Sequence, residues 1–178
     1  MRKMLFLMIM GFFMFTGVGC CPLTKLNVSI QLDKSFQDKF GANRQILVDV
    51  VGVKDAENAR WTTYSMTKYW QDGDGQRKTP MSKPLTFNSK SLDPQVITSS
   101  DPMWDQWLAG ASDKHPPQIF VLVQLPGFFD AAKDDKPGSE DARRQIISTS
   151  SCQNKKSGAM SGPPTIHLVI LADRISMQ

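Results

Sequence analysis

The sequence predicts a mainly β fold, a two-layer β-sandwich of immunoglobulin-like kind with one or two short helical inserts. Three observations carry this. Six or seven short apolar runs recur along the chain, several with the apolar–polar alternation that marks a half-buried strand. Turn-forming Gly, Pro, Ser and Asp separate them. No succession of strands and long helical patterns suggests βαβ units. Of the 178 residues, about 155 remain once an N-terminal leader is set aside; that is one domain by size, with enough chain for a core without disulfide staples.

The leader is Met1 to Cys21. Arg2 and Lys3 give a positive start, and Met4 to Gly19 is uncharged and almost wholly apolar. Thr16-Gly17-Val18-Gly19 then runs into Cys20 and Cys21. A basic start, an apolar middle and small residues at the end read as an export signal. The run is shorter than the ~20 apolar residues of a spanning helix. Gly19 directly before Cys20 resembles the lipobox of bacterial lipoproteins, whose cysteine is diacylated on its thiol and becomes the new N-terminus. The resemblance implies cleavage after Gly19 and fatty-acyl (palmitate-type) anchoring through Cys20. Gly17 departs from the bulky apolar residue that the family prefers there. The plainer reading is a cleaved secretory signal with both cysteines left as thiols or in disulfides. The domain plan is therefore a signal peptide over 1–19, a lipid anchor and tether over 20–25, and a β-sandwich over 26–178. If Cys20 is acylated, Cys21 and Cys152 remain, either paired in an oxidising compartment or left as free thiols.

Leu26, Val28, Ile30 and Leu32 alternate with polar residues as a first strand. Phe36 and Phe40, four apart, share one face of a helical turn in an otherwise polar connection. Gln45 to Val53 is a second strand with apolar residues on both faces around Asp49, so both faces are covered. Gly52 marks a bulge or a close backbone contact. Trp61, Tyr64, Tyr69 and Trp70 follow, with a short helix over 65–70 that ends at Asp72-Gly73-Asp74-Gly75. That tetrapeptide lacks the ligand set of a calcium loop and reads as a turn. Lys83 to Asn88 is a short strand confined to a sheet edge by Pro80 and Pro84. Val96 and Ile97 add another extended piece.

Asp101-Pro102 opens a helix with Trp104, Trp107 and Leu108 on its apolar face and Gly110 at its close. Ile119 to Leu125 is the strongest strand. The charged segment Asp130 to Asp141 reads as a solvated loop. Ala142 to Ser148 is a further strand, Thr149 to Pro164 a loop by composition, and Thr165 to Ile175 the last strand.

The formal charge of +4 falls to +2 without Arg2 and Lys3, as 19 basic against 17 acidic residues remain. That balance carries no footprint for nucleic acid. Two histidines and three cysteines, scattered, do not make a structural zinc site, and no cofactor motif is present. His115 and His167 each stand without a nucleophile or carboxylate at motif spacing, which argues against an enzyme. The loops and the aromatic set Trp61, Tyr64, Tyr69 and Trp70 are the candidates for partner binding, since Trp and Tyr anchor interfaces. The same set reads more readily as a plug over one open end of the sandwich.

The C-terminal half, IFVLVQLPGFFD, then ARRQII, then TIHLVILADRISM, resembles the TssJ family, the outer-membrane lipoproteins of type VI secretion systems. LNVSIQL, ILVDVVGVKD and SMTKYW fit the same element order in the N-terminal half. The Trp104/Trp107 helix and the loop at 149–164 depart from it. The resemblance implies a transthyretin-like sandwich hung by lipid on the inner leaflet of the outer membrane, docked on the periplasmic end of an inner-membrane anchoring protein. The competing reading is a stand-alone envelope lipoprotein that binds a glycan or other ligand on its aromatic surface.

Overall fold

The computed structural model of the chain describes residues 22–79, 81–151 and 163–178. The leader, Cys20, Cys21 and Cys152 lie outside them. The strands are β1 (Asn27–Leu32), β2 (Gln45–Val53), β3 (Ser82–Asn88), β4 (Gln95–Ile97), β5 (Gln118–Val123), β6 (Arg144–Ser148), β7 (Thr165–Ile170) and β8 (Ile175–Met177). The helices are α1 (Lys34–Phe40), α2 (Asp55–Thr63), α3 (Met66–Tyr69), α4 (Met103–Trp107) and α5 (Ala131–Asp134), with a 3-10 turn at Gly138–Glu140. The strands form two four-stranded sheets, β4-β1-β7-β8 and β3-β2-β5-β6. The mainly β sandwich expected from the sequence is the observed fold. β1 and β7 pair in parallel, and the other pairs are antiparallel.

The period-two pattern places Val28, Ile30 and Leu32 of β1 opposite Ile46, Val48 and Val50 of β2 in one core. Ile119, Val121 and Val123 of β5 and Leu168 and Ile170 of β7 fill it. Phe36 seals one end of this core; its ring lies 4.7 Å from that of Phe40, as the four-residue spacing predicts. Trp104 and Trp107 close the flank, fully buried and edge-to-face at 5.0 Å. Asp101 supports α4 as expected, its carboxylate accepting from Met103 N at 3.0 Å. Gly52 is a close contact: a Cβ there would stand 2.1 Å from Trp107 Cδ1.

Three sequence expectations change. The last strand is a hairpin, because Leu171 N bonds Arg174 O at 2.8 Å and turns the chain back so that Ile175 faces Ile170. Ala172 kept the alternation apolar and hid the turn. α2 was not foreseen, because only Trp61 of its nine residues is buried and no apolar stripe runs along it. The charged segment at 130–141 is folded into α5 and the 3-10 turn, with Asp141 fully buried. Pro22 to Thr24 also pairs with the close of β6. Leu23 bridges Ser150 antiparallel, Thr24 N bonds Thr149 O at 2.9 Å and Ser151 N bonds Pro22 O at 3.1 Å.

The strand directions sort the connections between two ends. One end holds Pro22 to Leu26, the α4–β5 connection and the close of β6. The other holds α1, the β3–β4 turn, the β5–β6 connection and the β7–β8 turn.

Candidate functional site

The aromatic set lies on α2 and α3, which form a third layer on the outer face of the second sheet. Val51 and Val53 of β2 and Phe120 and Leu122 of β5 point outward there and need a cover. Trp61 and Tyr69 supply it, at 4% and 0% exposure. Trp61 stacks near Phe120 at 6.0 Å and Tyr69 at 6.1 Å, and Tyr69 meets Trp70 edge-on at 5.1 Å. These two candidates are therefore core side chains; Tyr64 and Trp70 are half-buried and keep reachable surface. The reason is the doubly apolar character of β2 and β5, which calls for cover on both faces: the first sheet on the inner face and α2 and α3 on the outer one.

Polar groups in this layer are paired with care. Tyr69 donates to Asp49 at 3.0 Å, and Arg77 Nε holds the same carboxylate at 3.1 Å while its guanidinium lies 4.6 Å over the Trp70 ring. Burial, then the Asp49 charge, pushes the Tyr69 phenol far above its ordinary value. Tyr64 donates to Asp74 at 2.7 Å, and burial together with that bond raises its pKa to about 12. Both phenols stay protonated donors at neutral pH. Asp74 belongs to the Asp72–Gly75 turn, where its other oxygen accepts from Gln76 N at 2.9 Å and Arg77 N at 3.2 Å. That segment is a turn, as expected.

The basic pair at the start of β6 organises the neighbouring end. Arg143 is 1% exposed and grips Asp141 with Nε and Nη2, both at 2.9 Å. It also bonds Asp135 at 2.6 Å and Thr67 at 3.0 Å, and faces the Phe128 ring at 5.2 Å. Burial opposes its charge, but Asp141 and Asp135 hold the guanidinium above its ordinary pKa. Burial likewise works against the Asp135 carboxylate. Bonds from Ser65, Thr67 and Arg143 outweigh it and bring the pKa to about 2.

Arg144 turns the other way. It donates to the carbonyls of Trp61 at 2.7 Å, Thr62, and Tyr64 at 2.7 Å. These carbonyls close α2, where a helix leaves acceptors unpaired and favours positive charge. Sequence reasoning registered the Arg pair only as part of a family pattern. The signal that would have found its role is two adjacent cations opening a strand after a loop of carboxylates.

At the same end, Thr67, Trp70, Gln124, Phe128, Phe129 and Arg143 line a groove of about 190 Å³. Phe129 is 80% exposed, and Trp70 Nε1 is buried without a hydrogen-bond partner. The groove offers an apolar edge in Phe128 and Phe129. Nothing in it is placed to move a proton or attack a bond. His115 does meet a carboxylate, Asp55 at 2.7 Å, on an exposed loop, but its side chain bonds no hydroxyl or thiol among the described residues. Among those residues no three His, Cys, Asp or Glu gather as a metal site, and no helix is long and apolar enough to cross a membrane.

No protein-family model matches the sequence, and no curated protein matches it. Solved structures do resemble it in fold. A chain of a type VI membrane complex superposes with a TM-score of 0.51 over 88% of this chain and 99% of its own length, at 8% identity. Serratia marcescens Lip, a membrane-bound component of the type VI secretion system, gives 0.51 over 88% and 97%, at 9% identity. The chain has the fold of these type VI secretion proteins. Within that fold, IFVLVQLPGFFD is β5 with the Phe128–Phe129 edge of the groove, ARRQII is the Arg pair with β6, and TIHLVILADRISM is the β7–β8 hairpin.

Proposed function

We propose that the chain is a TssJ-like envelope lipoprotein. Cys20 carries the lipid, the sandwich faces the periplasm from the outer membrane, and the domain ties a periplasmic partner to that membrane. The partner is the periplasmic part of an inner-membrane anchoring protein of a type VI secretion complex. The likeness of fold over nearly the whole length of both chains carries this reading. The signal peptide read over 1–19, directly before Cys20, supports it independently. Several acyl chains on one cysteine anchor stably where a single chain binds marginally.

The role is structural rather than catalytic: the buried ionic groups of the Arg143 cluster are spent on each other, and the exposed His115–Asp55 pair meets no nucleophile among the described residues. Partner docking falls on the groove beside α3, where Trp70 and Phe129 are reachable; Tyr64 lies on the neighbouring surface, and Trp61 and Tyr69 back them from the core. The glycan-binding reading needs an open aromatic surface, and half of that set is core.

The test is flotation and co-purification of wild type and Cys20→Ser from envelopes. Wild type floats with outer membrane and retains an inner-membrane protein, whereas Cys20→Ser is soluble and retains none on the membrane. If both forms are soluble and equally processed, the anchored role fails.

A further inference from the structure

The groove beside α3 has an unusual stock of groups to offer a ligand. Phe129 is 80% exposed at its edge, and Trp70 and Phe128 line it half-buried. Arg143, the charged residue of the lining, is already held by Asp141, Asp135 and Thr67. Thr67 Oγ1 is likewise engaged, donating to Asp135 at 2.8 Å. What remains is three aromatic rings and two carboxamides, those of Gln71 and Gln124. Both carboxamides are exposed and bond no partner among the described residues.

Those groups decide between the recurring ways in which a protein takes a peptide. Strand addition needs free backbone groups. Here Thr67 N donates to Asp135 at 3.0 Å, Trp70 N to Met66 O at 3.3 Å and Gln71 N to Lys68 O at 3.0 Å. Gln124 N donates to Leu47 O at 2.9 Å and Leu125 N to Val123 O at 3.1 Å, so no ladder edge is open along these residues. An acidic or phosphorylated motif needs a free cation, and Arg143 is not free. A helix is about 10 Å across and lays down a row of anchors over two turns. The groove measures about 190 Å³, below the ~300 Å³ at which ligand pockets begin, and takes a narrower segment.

A polyproline II segment is narrow, has no internal hydrogen bonds and leaves its carbonyls open. Such segments dock in aromatic-lined grooves, and side-chain amides can donate to the open carbonyls. We propose that the segment seated in this groove is a proline-rich polyproline II stretch of the periplasmic partner. Trp70, Phe128 and Phe129 take the proline rings, and Gln71 and Gln124 donate to the backbone carbonyls between them. The inference rests on the docking reading above and names the ligand of that same groove. Little ordering is needed on binding, because the segment is extended before it docks. Its stiffness also serves a link between membranes, at about 3.1 Å per residue.

The experiment is fluorescence anisotropy of fluorescein-labelled decaproline titrated with the full chain purified from envelopes in detergent. A glycine–serine peptide of the same length and an amphipathic helical peptide are the controls. Decaproline should bind saturably, and neither control should. Phe129→Ala should weaken binding about tenfold or more, as loss of a central aromatic anchor does. Gln124→Ala should weaken it about threefold, the effect of one neutral hydrogen bond. Both positions are exposed, so thermal melts of the two variants should match wild type. Absence of saturable decaproline binding overturns the inference, and so does equal binding by Phe129→Ala or binding of the helical peptide in its place. Co-purification scores the docking reading separately. Partner lost from Phe129→Ala envelopes, with no decaproline binding to wild type, overturns the proline-rich ligand alone. Partner kept in full, with decaproline binding lost, overturns docking of that partner at the groove while the ligand class stands.

Discussion

Arg143 and Arg144 sit side by side and do opposite work. Arg143 ends the turn before β6 and Arg144 opens the strand; one guanidinium meets the carboxylates of the β5–β6 connection and the other meets the end of α2. Their loss should differ accordingly. Arg143→Met leaves the fully buried Asp141 carboxylate without its cation and should lower unfolding free energy by about 3–5 kcal/mol in urea titration. Arg144→Met leaves carbonyls that close α2 without a donor and should lower it by about 1–3 kcal/mol. Gly52 poses a purely steric question. Gly52→Ala forces Trp107 to move and should lose about 1–3 kcal/mol, with a changed near-UV tryptophan signal. A glycine inside an apolar strand hinted at this contact, but which ring approaches it was beyond any local pattern.

The element whose character the sequence concealed most is the segment at 130–141. Its composition reads as solvated, yet Asp135 and Asp141 are the counter-charges of a buried arginine. The pH behaviour follows from Asp135. Its folded pKa of about 2 lies below the ordinary 3.8, so its stabilisation is fully present above about pH 4 and is lost as pH falls toward 2. Asp135→Asn should therefore be less stable than wild type at pH 7, by about 1 kcal/mol after allowance for partial exposure, with the gap closing by pH 2. Denaturant titrations at pH 7, 4 and 2 check this; a constant gap across that range would contradict it. α2 was hidden for a related reason. A helix held by one buried tryptophan and by an arginine at its C-terminus has no amphipathic stripe to read.

The whole molecule is a sandwich with one helical layer, entered by its N-terminal segment at one end and carrying the Trp70–Phe129 groove at the other. This polarity is the one that the proposed role, held at one end and docked at the other, requires. Phe129→Ala should leave the melting temperature unchanged, because the ring is 80% exposed and such surface changes stay within about 0.5 kcal/mol. The same variant should co-purify less periplasmic partner; full retention would move docking elsewhere. Sequence alone determined the strands apart from the β7–β8 hairpin, their inward faces, α4 with its Asp101 support, and the sandwich class. These follow from alternation and from local backbone chemistry within a few residues. The tertiary structure decided which sheet each strand joins, that Trp61 and Tyr69 are core, that the Arg pair binds two different elements, and that Pro22 to Thr24 is pinned to the end of β6. Each of these depends on groups far apart in the chain, and no local period encodes which distant partner a side chain or a strand edge will meet.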